Sequence, residues 1–123
     1  MSEGLEDGMD AGSEGRAAEV VIVAEMALAE GRESEALEVL EELCRATHDE
    51  DEGCLRYAVH RVTGDDRTVF LLEKWRSRED LDRHLASAHV AAKRAREAEL
   101  FAGASRASFL EPTGFGRPEQ ATV

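Results

Sequence analysis

No stretch of the 123-residue sequence approaches the roughly 18 consecutive apolar residues that a bilayer-spanning helix needs, so such a span is excluded. Positive charge is scarce as well. Lys and Arg number 15 against 27 Asp and Glu, a formal net charge of −12. That field repels phosphate backbones and anionic lipid, so neither nucleic acid nor a membrane surface is an expected partner. Only two cysteines occur, Cys44 and Cys54, and they form no CxxC pair. They cannot staple a fold of this size, which points to a reduced, cytoplasmic setting in which each is a small buried thiol. No basic segment followed by an apolar one opens the sequence, so no secretory signal is expected. There is no glycine loop at the start of a helix to cradle phosphate and no GxSxG elbow. Nucleotide cofactors, hydrolase chemistry and thiol redox chemistry are therefore disfavoured.

What is present divides into three parts. Residues 1–18 are acidic and rich in Gly and Ser, with little to bury, and read as a disordered tail. Residues 112–123 contain Gly114, Gly116 and Pro118 and read as a second flexible tail. Residues 19–111 form the domain.

Within the domain, Val20-Val21-Ile22-Val23 is a β-branched run that suits a strand buried on both faces. From Arg32 to about His48, Ala36, Leu37, Leu40, Leu43, Cys44 and Thr47 recur at helical spacing among glutamates, which predicts an amphipathic helix. Gly53 is read as supplying unusual backbone angles at the loop exit. Cys54–Val62 and Thr68–Arg76 then form a hairpin about Thr63-Gly64-Asp65-Asp66-Arg67. In the first arm Leu55, Tyr57 and Val59 share a face; in the second, Val69, Leu71, Glu73 and Trp75 do. Ser77 is an N-cap ahead of Glu79 and Asp80. It starts a helix with an inner stripe of Leu81, His84, Leu85 and Ala88 that continues through Val90 and the following alanines to Gly103. Ser105–Leu110 is a last strand. The order β-α-β-β-α-β is that of an α+β, ferredoxin-like split βαβ fold: a four-stranded antiparallel sheet with its helices on one face. Val20, Ile22, Phe70 and Leu72 are then expected on the uncovered face, and a second copy of the chain is the expected cover.

Few residues could carry chemistry. Trp75 is the sole Trp and Tyr57 the sole Tyr. Glu73 sits on an otherwise apolar inward stripe, where a carboxylate is costly unless paired or set beside a cavity. His84 lies between Leu81 and Leu85 and either bonds a buried partner or faces a polar pocket. His89, five residues on, does not share a helix face with it in the i, i+4 manner of a helical metal pair, and a zinc site from His84, His89, Cys44 and Cys54 is not expected. His48 and His60 read as solvated, and Lys93-Arg94-Ala95-Arg96 as a wet helix face paired with Glu97 and Glu99.

The combination Gly53-Cys54-Leu55-Arg56-Tyr57, Glu73-Lys74-Trp75, and His84-Leu85 with His89, spread over about Val20 to Leu110, resembles the antibiotic biosynthesis monooxygenase family of the dimeric α/β-barrel superfamily. The resemblance implies a ferredoxin-like homodimer and, in many members, an oxygenase that uses neither metal nor flavin on quinol, phenolic or polyketide substrates. On that reading the catalytic residues are His84, Trp75 and Glu73, with His84 as the general base. Tyr57, Leu71, Leu85 and His89 contact a small aromatic substrate, O2 is the co-substrate, and no cofactor or metal is required. Family members often carry Glu-Pro-Gly-Cys where this chain has Asp51-Glu52-Gly53-Cys54. The sequence contains no Asn at all, so the Asn-Trp-His set of the haem-degrading branch is not carried over. A non-catalytic dimer that binds a small apolar ligand or acts in stress response is the alternative the same scaffold allows, and an isomerase of the superfamily is a third.

Overall fold

Eight main elements are built over the residues that the computed structural model describes, 18–123. The expected acidic tail lies outside them except for its last position. β1 (Val20–Ala27) leads into α1 (Glu33–Glu50), followed by the β2 (Cys54–Arg61) and β3 (Thr68–Trp75) hairpin, then α2 (Arg78–Leu85), α3 (Ala88–Arg94), α4 (Glu97–Leu100) and β4 (Arg106–Leu110). The strands form one antiparallel sheet in the order β2-β3-β1-β4. This is the α+β, ferredoxin-like arrangement expected from the sequence, with an open sheet. No helix among the described residues is long and apolar enough to cross a membrane.

The core lies between the sheet and the helices. Ile22, Ala24 and Met26 of β1, Val69, Leu71 and Trp75 of β3, and Tyr57 of β2 meet Ala36, Leu40 and Leu43 of α1, Leu81 of α2 and Val90 of α3. The α1 stripe is the predicted one, with Thr47 completing it fully buried. The hairpin turn is also as expected: Gly64 takes a positive φ of 81°, and Asp65 Oδ1 accepts from the backbone N–H groups of Arg67 and Thr68.

Four local expectations are corrected. Val20 pairs with Trp75 and Ile22 with Glu73, so both β1 residues lie on the helix-facing side of the sheet. The open side carries Val21 and Val23 together with Phe70 and Leu72. A run of four β-branched residues contains no polar residue to fix which parity faces in, so only the register decides. Second, a bulge between Cys54 and Arg56 removes Leu55 from the inward stripe and leaves it 49% exposed.

Third, the long second helix is three short ones. Ser87 Oγ donates to the carbonyl of His84 at 2.6 Å and accepts from the N–H of Val90, ending one helix and capping the next. Of the alanines read as its continuation, Ala91, Ala92, Ala95 and Ala98 are exposed. Fourth, Gly53 has no left-handed φ; its lack of a side chain serves a close approach instead, since a Cβ there would stand 2.1 Å from Cγ of Asp80.

Beyond β4, the chain returns toward the open side of the sheet through a short 3-10 turn at Pro118–Gln120. Lys74 Nζ donates to the backbone oxygen of Val123 at 2.8 Å, and residues from Leu110 to Pro112 and from Gln120 to Val123 line a groove with Val21. Contact with this segment explains why Val21 is buried although no helix covers its face.

Candidate active site

Ser77 fixes the approach of α2 to the sheet. Its hydroxyl accepts from the backbone N–H of Asp80 and donates to the Asp80 carboxylate at 2.8 Å, while Arg76 reaches the same carboxylate through Nε and Nη2 at 2.8 and 2.9 Å. Arg83 adds a further ion pair. Arg76 foremost, then Ser77 and Arg83, hold the Asp80 carboxyl well below the usual carboxylate range. So anchored, α2 sets His84 and Leu81 inward against β3 and β2.

His84 is 2% exposed, and its ring stands 4.6 Å from that of Trp75 and 5.1 Å from that of Tyr57, centroid to centroid. Tyr57 and Trp75 in turn meet edge to face at 6.2 Å. Nδ1 of His84 lies 2.7 Å from Oδ2 of Asp51, and Nε2 of His89 lies 2.8 Å from the same oxygen. The break at Ser87 brings the two histidines together: a continuous helix would keep residues five apart on different faces, whereas here their rings are 5.6 Å apart. The expectation from spacing alone is thus corrected. Burial pulls the His84 imidazole below its usual 6.5, against the opposing pull of the Asp51 carboxylate, so the ring is neutral at pH 7.

A cavity of about 290 Å³ opens beside this cluster, between the sheet and the helices. Tyr57, Leu71, Glu73, His84 and Leu85 all line it, with Met26, Leu40 and Leu43 deepening its apolar wall and Lys93 and Arg94 near its edge. Trp75 is fully buried and does not line it; the indole stands one layer back, behind Tyr57 and His84. His89 is not in the cavity either. It lines a separate groove of about 510 Å³ on the outer face between α1 and α3, together with Glu50.

Glu73 resolves its awkward position locally: the Trp75 indole N–H donates to its Oε1 at 2.8 Å. Burial still pushes its carboxyl pKa up, with that hydrogen bond acting in the opposite direction. Burial likewise raises the Tyr57 phenol and the two thiols, Cys54 to about 11, so both cysteines stay protonated at neutral pH and neither is poised as a nucleophile. His48, although exposed, bonds the Tyr57 carbonyl oxygen through Nε2 at 2.9 Å and so ties α1 to β2. Lys93–Glu97 and Arg96–Glu99 pair as expected.

Asp51 is the site residue that reading the sequence missed. A signal for it existed. α1 ends in Asp49-Glu50 with Asp51 as its C-cap, and three acids at the negative end of a helix dipole are unfavourable unless cations or N–H donors meet them. His84 and His89 are those donors.

The sequence pattern of the antibiotic biosynthesis monooxygenase family matches residues 19–96, and the chain belongs to that family. Solved structures share the fold. A protein of Mycobacterium tuberculosis is 25% identical, with a TM-score of 0.72 over 81% of this chain and 100% of its own. One from Pseudomonas aeruginosa is 22% identical, with a TM-score of 0.71 over 77% and 94%. A Caulobacter crescentus protein, described as a candidate antibiotic biosynthesis monooxygenase, is 22% identical with a TM-score of 0.72 over 76% and 89%. No curated protein matches the chain in sequence.

Proposed function

We propose that this protein is a monooxygenase that oxidises a small electron-rich aromatic, of the quinol, phenol or anthrone type, with O2 and without an organic cofactor. The observation that carries the reading is the position of His84. Its Nδ1 is engaged by Asp51, and its ring lines the apolar cavity. A carboxylate that accepts from Nδ1–H fixes the tautomer with its lone pair on Nε2, which makes Nε2 the nitrogen available as a base. Asp51 acts through His84 and is a positioning residue.

On an anthrone, Nε2 takes a proton from the ring methylene and leaves an electron-rich carbanion. This passes one electron to O2, and the resulting carbon radical and superoxide combine to form a C–O bond. The peroxide takes the proton back from His84, and loss of water leaves a carbonyl. The sum is CH2 plus O2 giving C=O plus H2O, so the substrate supplies every electron. Tyr57, Leu71 and Leu85 shape the wall. Glu73 orients a polar group of the substrate, and Trp75 supports Tyr57 and His84 from behind. A cavity of this size is at the lower end for small-molecule sites, which suits a small aromatic.

The working form is a homodimer joined through the open side of the sheet, in the cytoplasm. Val23, Phe70 and Leu72 are half-buried there and Leu110 is 45% exposed, an apolar surface that a second copy would cover. The deciding experiment is oxygen uptake by the purified protein with a panel of quinols and anthrones, against an anaerobic control and a buffer blank. Substrate-dependent uptake, lost in His84→Ala, supports the oxygenase. Saturable binding of the same compounds without uptake supports the non-catalytic ligand-binding alternative.

A further inference from the structure

Asp51, His84 and His89 hold more donor capacity than a base and its orienting carboxylate need. One ligand atom from each of the three lies within 4.8 Å of those of the other two, and Oδ2 of Asp51 is 2.7 Å from Nδ1 of His84 and 2.8 Å from Nε2 of His89. Two imidazoles and one carboxylate are the donor set of open zinc sites and of other divalent transition-metal sites, which leave remaining positions to water. We propose that these three residues form a binding site for a divalent transition-metal ion of the zinc and cobalt class, on the side of His84 away from the cavity.

The geometry needs a small adjustment. Metal–ligand bonds of about 2.1 Å at tetrahedral angles place ligand atoms about 3.4 Å apart. The Asp51 oxygen is 2.7 and 2.8 Å from the two nitrogens, so the cluster must open by roughly 0.6 Å on that tetrahedral geometry. The elements carrying it can do this. Asp51 is a helix C-cap, His89 is in the first turn of α3, and the Ser87 break separates α3 from α2. Access exists as well. His89 and Glu50 line the groove between α1 and α3, and the side chains of Asp51 and His89 keep 13% and 9% of their exposure while His84 keeps 3%.

Glu50 provides a second, independent pointer. Its Oε1 stands 3.9 Å from Nδ1 of His89, the ring nitrogen opposite the proposed ligand atom. At that distance the exposed carboxylate faces Nδ1 without a hydrogen bond; closing onto Nδ1–H would give His89 the outer-shell partner usual for a metal-bound histidine and leave Nε2 for the metal. Binding moves one proton on each ring: His84 carries its proton on Nε2 and His89 on Nδ1. Nε2 of His84 then becomes a donor and can no longer act as a base. The ion therefore inhibits the reaction proposed above. That consequence rests on the oxygenase reading; binding of the ion does not.

The test uses the full chain and measures binding directly. Zn²⁺ is titrated calorimetrically in millimolar Mg²⁺, and Co²⁺ is added separately while its visible absorption is followed. One equivalent per chain is expected, with the intense bands of a low-coordinate cobalt site. His89→Ala and Asp51→Asn should each weaken binding by at least about tenfold, and Glu50→Gln, which removes the charge facing Nδ1 of His89, by less. His60→Ala, on an exposed residue of the sheet's open side, should leave it unchanged. Circular dichroism confirms folding, and His89→Gln replaces any variant that fails it. No saturable uptake, displacement by Mg²⁺, or undiminished binding in both Asp51→Asn and His89→Ala overturns the proposal. Metal binding by a protein that shows no oxygen uptake when metal-free would overturn the oxygenase reading and leave the metal site standing.

Discussion

Gly53 and Asp80 share one small volume, since a methyl group on Gly53 would lie 2.1 Å from Asp80 Cγ and 2.5 Å from its Cβ. The overlap involves Cβ as well as the carboxylate tip, so swinging the side chain does not relieve it. Asp80 is also pinned by Arg76 and Ser77. Gly53→Ala is therefore expected to push α2 away from the β2 end. The cost should be about 1–3 kcal/mol, the range for overpacking a filled site. Urea unfolding of the two proteins measures it, and a stability equal to wild type would show that α2 has room to move.

That contact also marks how far the sequence could be read. The element order and the α1 stripe were legible because strong periodicity and clear turn chemistry leave one solution. The glycine at 53 was legible as a requirement, yet not for its reason, because a close approach between residues 27 apart leaves no local trace. The same holds for Asp51. The run Asp49-Glu50-Asp51-Glu52 carries no apolar period, and only the Ser87 break, itself encoded by one hydroxyl competing for a helix carbonyl, brings His84 and His89 to Asp51. Tertiary polar contacts are set by where helices end, and helix ends are the least periodic part of the pattern.

Glu73 should make stability depend on pH. Its carboxyl pKa is raised above the usual 4.5 by burial, so the folded state holds a proton that the unfolded chain has already released. The stabilising contribution of the protonated side chain is full below 4.5, falls as pH rises through the raised value, and stays lost above it. Glu73→Gln keeps an oxygen for the Trp75 indole N–H and removes the titration. The variant should therefore melt at a higher temperature than wild type at pH 8, and that advantage should close on acidifying to pH 4. A gap independent of pH would show that Glu73 does not titrate differently in the folded state.

The open side of the sheet predicts an assembly. Leu72 pairs with Val23 and with Ala58 on that side, near the middle of the surface offered to a second copy. Leu72→Lys places a charge where the two sheets would meet, and a like charge directly opposite in a symmetric dimer repels. Sedimentation velocity at micromolar concentration should find a dimer for wild type and a monomer for Leu72→Lys. A wild-type monomer would place the sheet's cover in the C-terminal segment alone.

His84 and Asp51 separate catalysis from structure when changed singly. Loss of a general base lowers turnover by about 10²- to 10⁴-fold, so His84→Ala should fall in that range with the dimer intact. Asp51→Asn keeps the size of the side chain but replaces the charged acceptor by an amide. It should lower kcat more than it raises KM, because the tautomer of His84 matters to proton transfer more than to substrate binding. Its pH–rate profile should also shift to lower pH, since the carboxylate's pull on the imidazole is lost while burial continues to act. If His84 only packs, His84→Ala should cost about 1–3 kcal/mol through its lost hydrogen bond and leave activity per folded molecule unchanged. Oxygen uptake and melting temperature in the same two variants therefore decide the role: full activity in a well-folded His84→Ala protein removes the base from the mechanism, and an unshifted pH profile in Asp51→Asn removes its positioning partner.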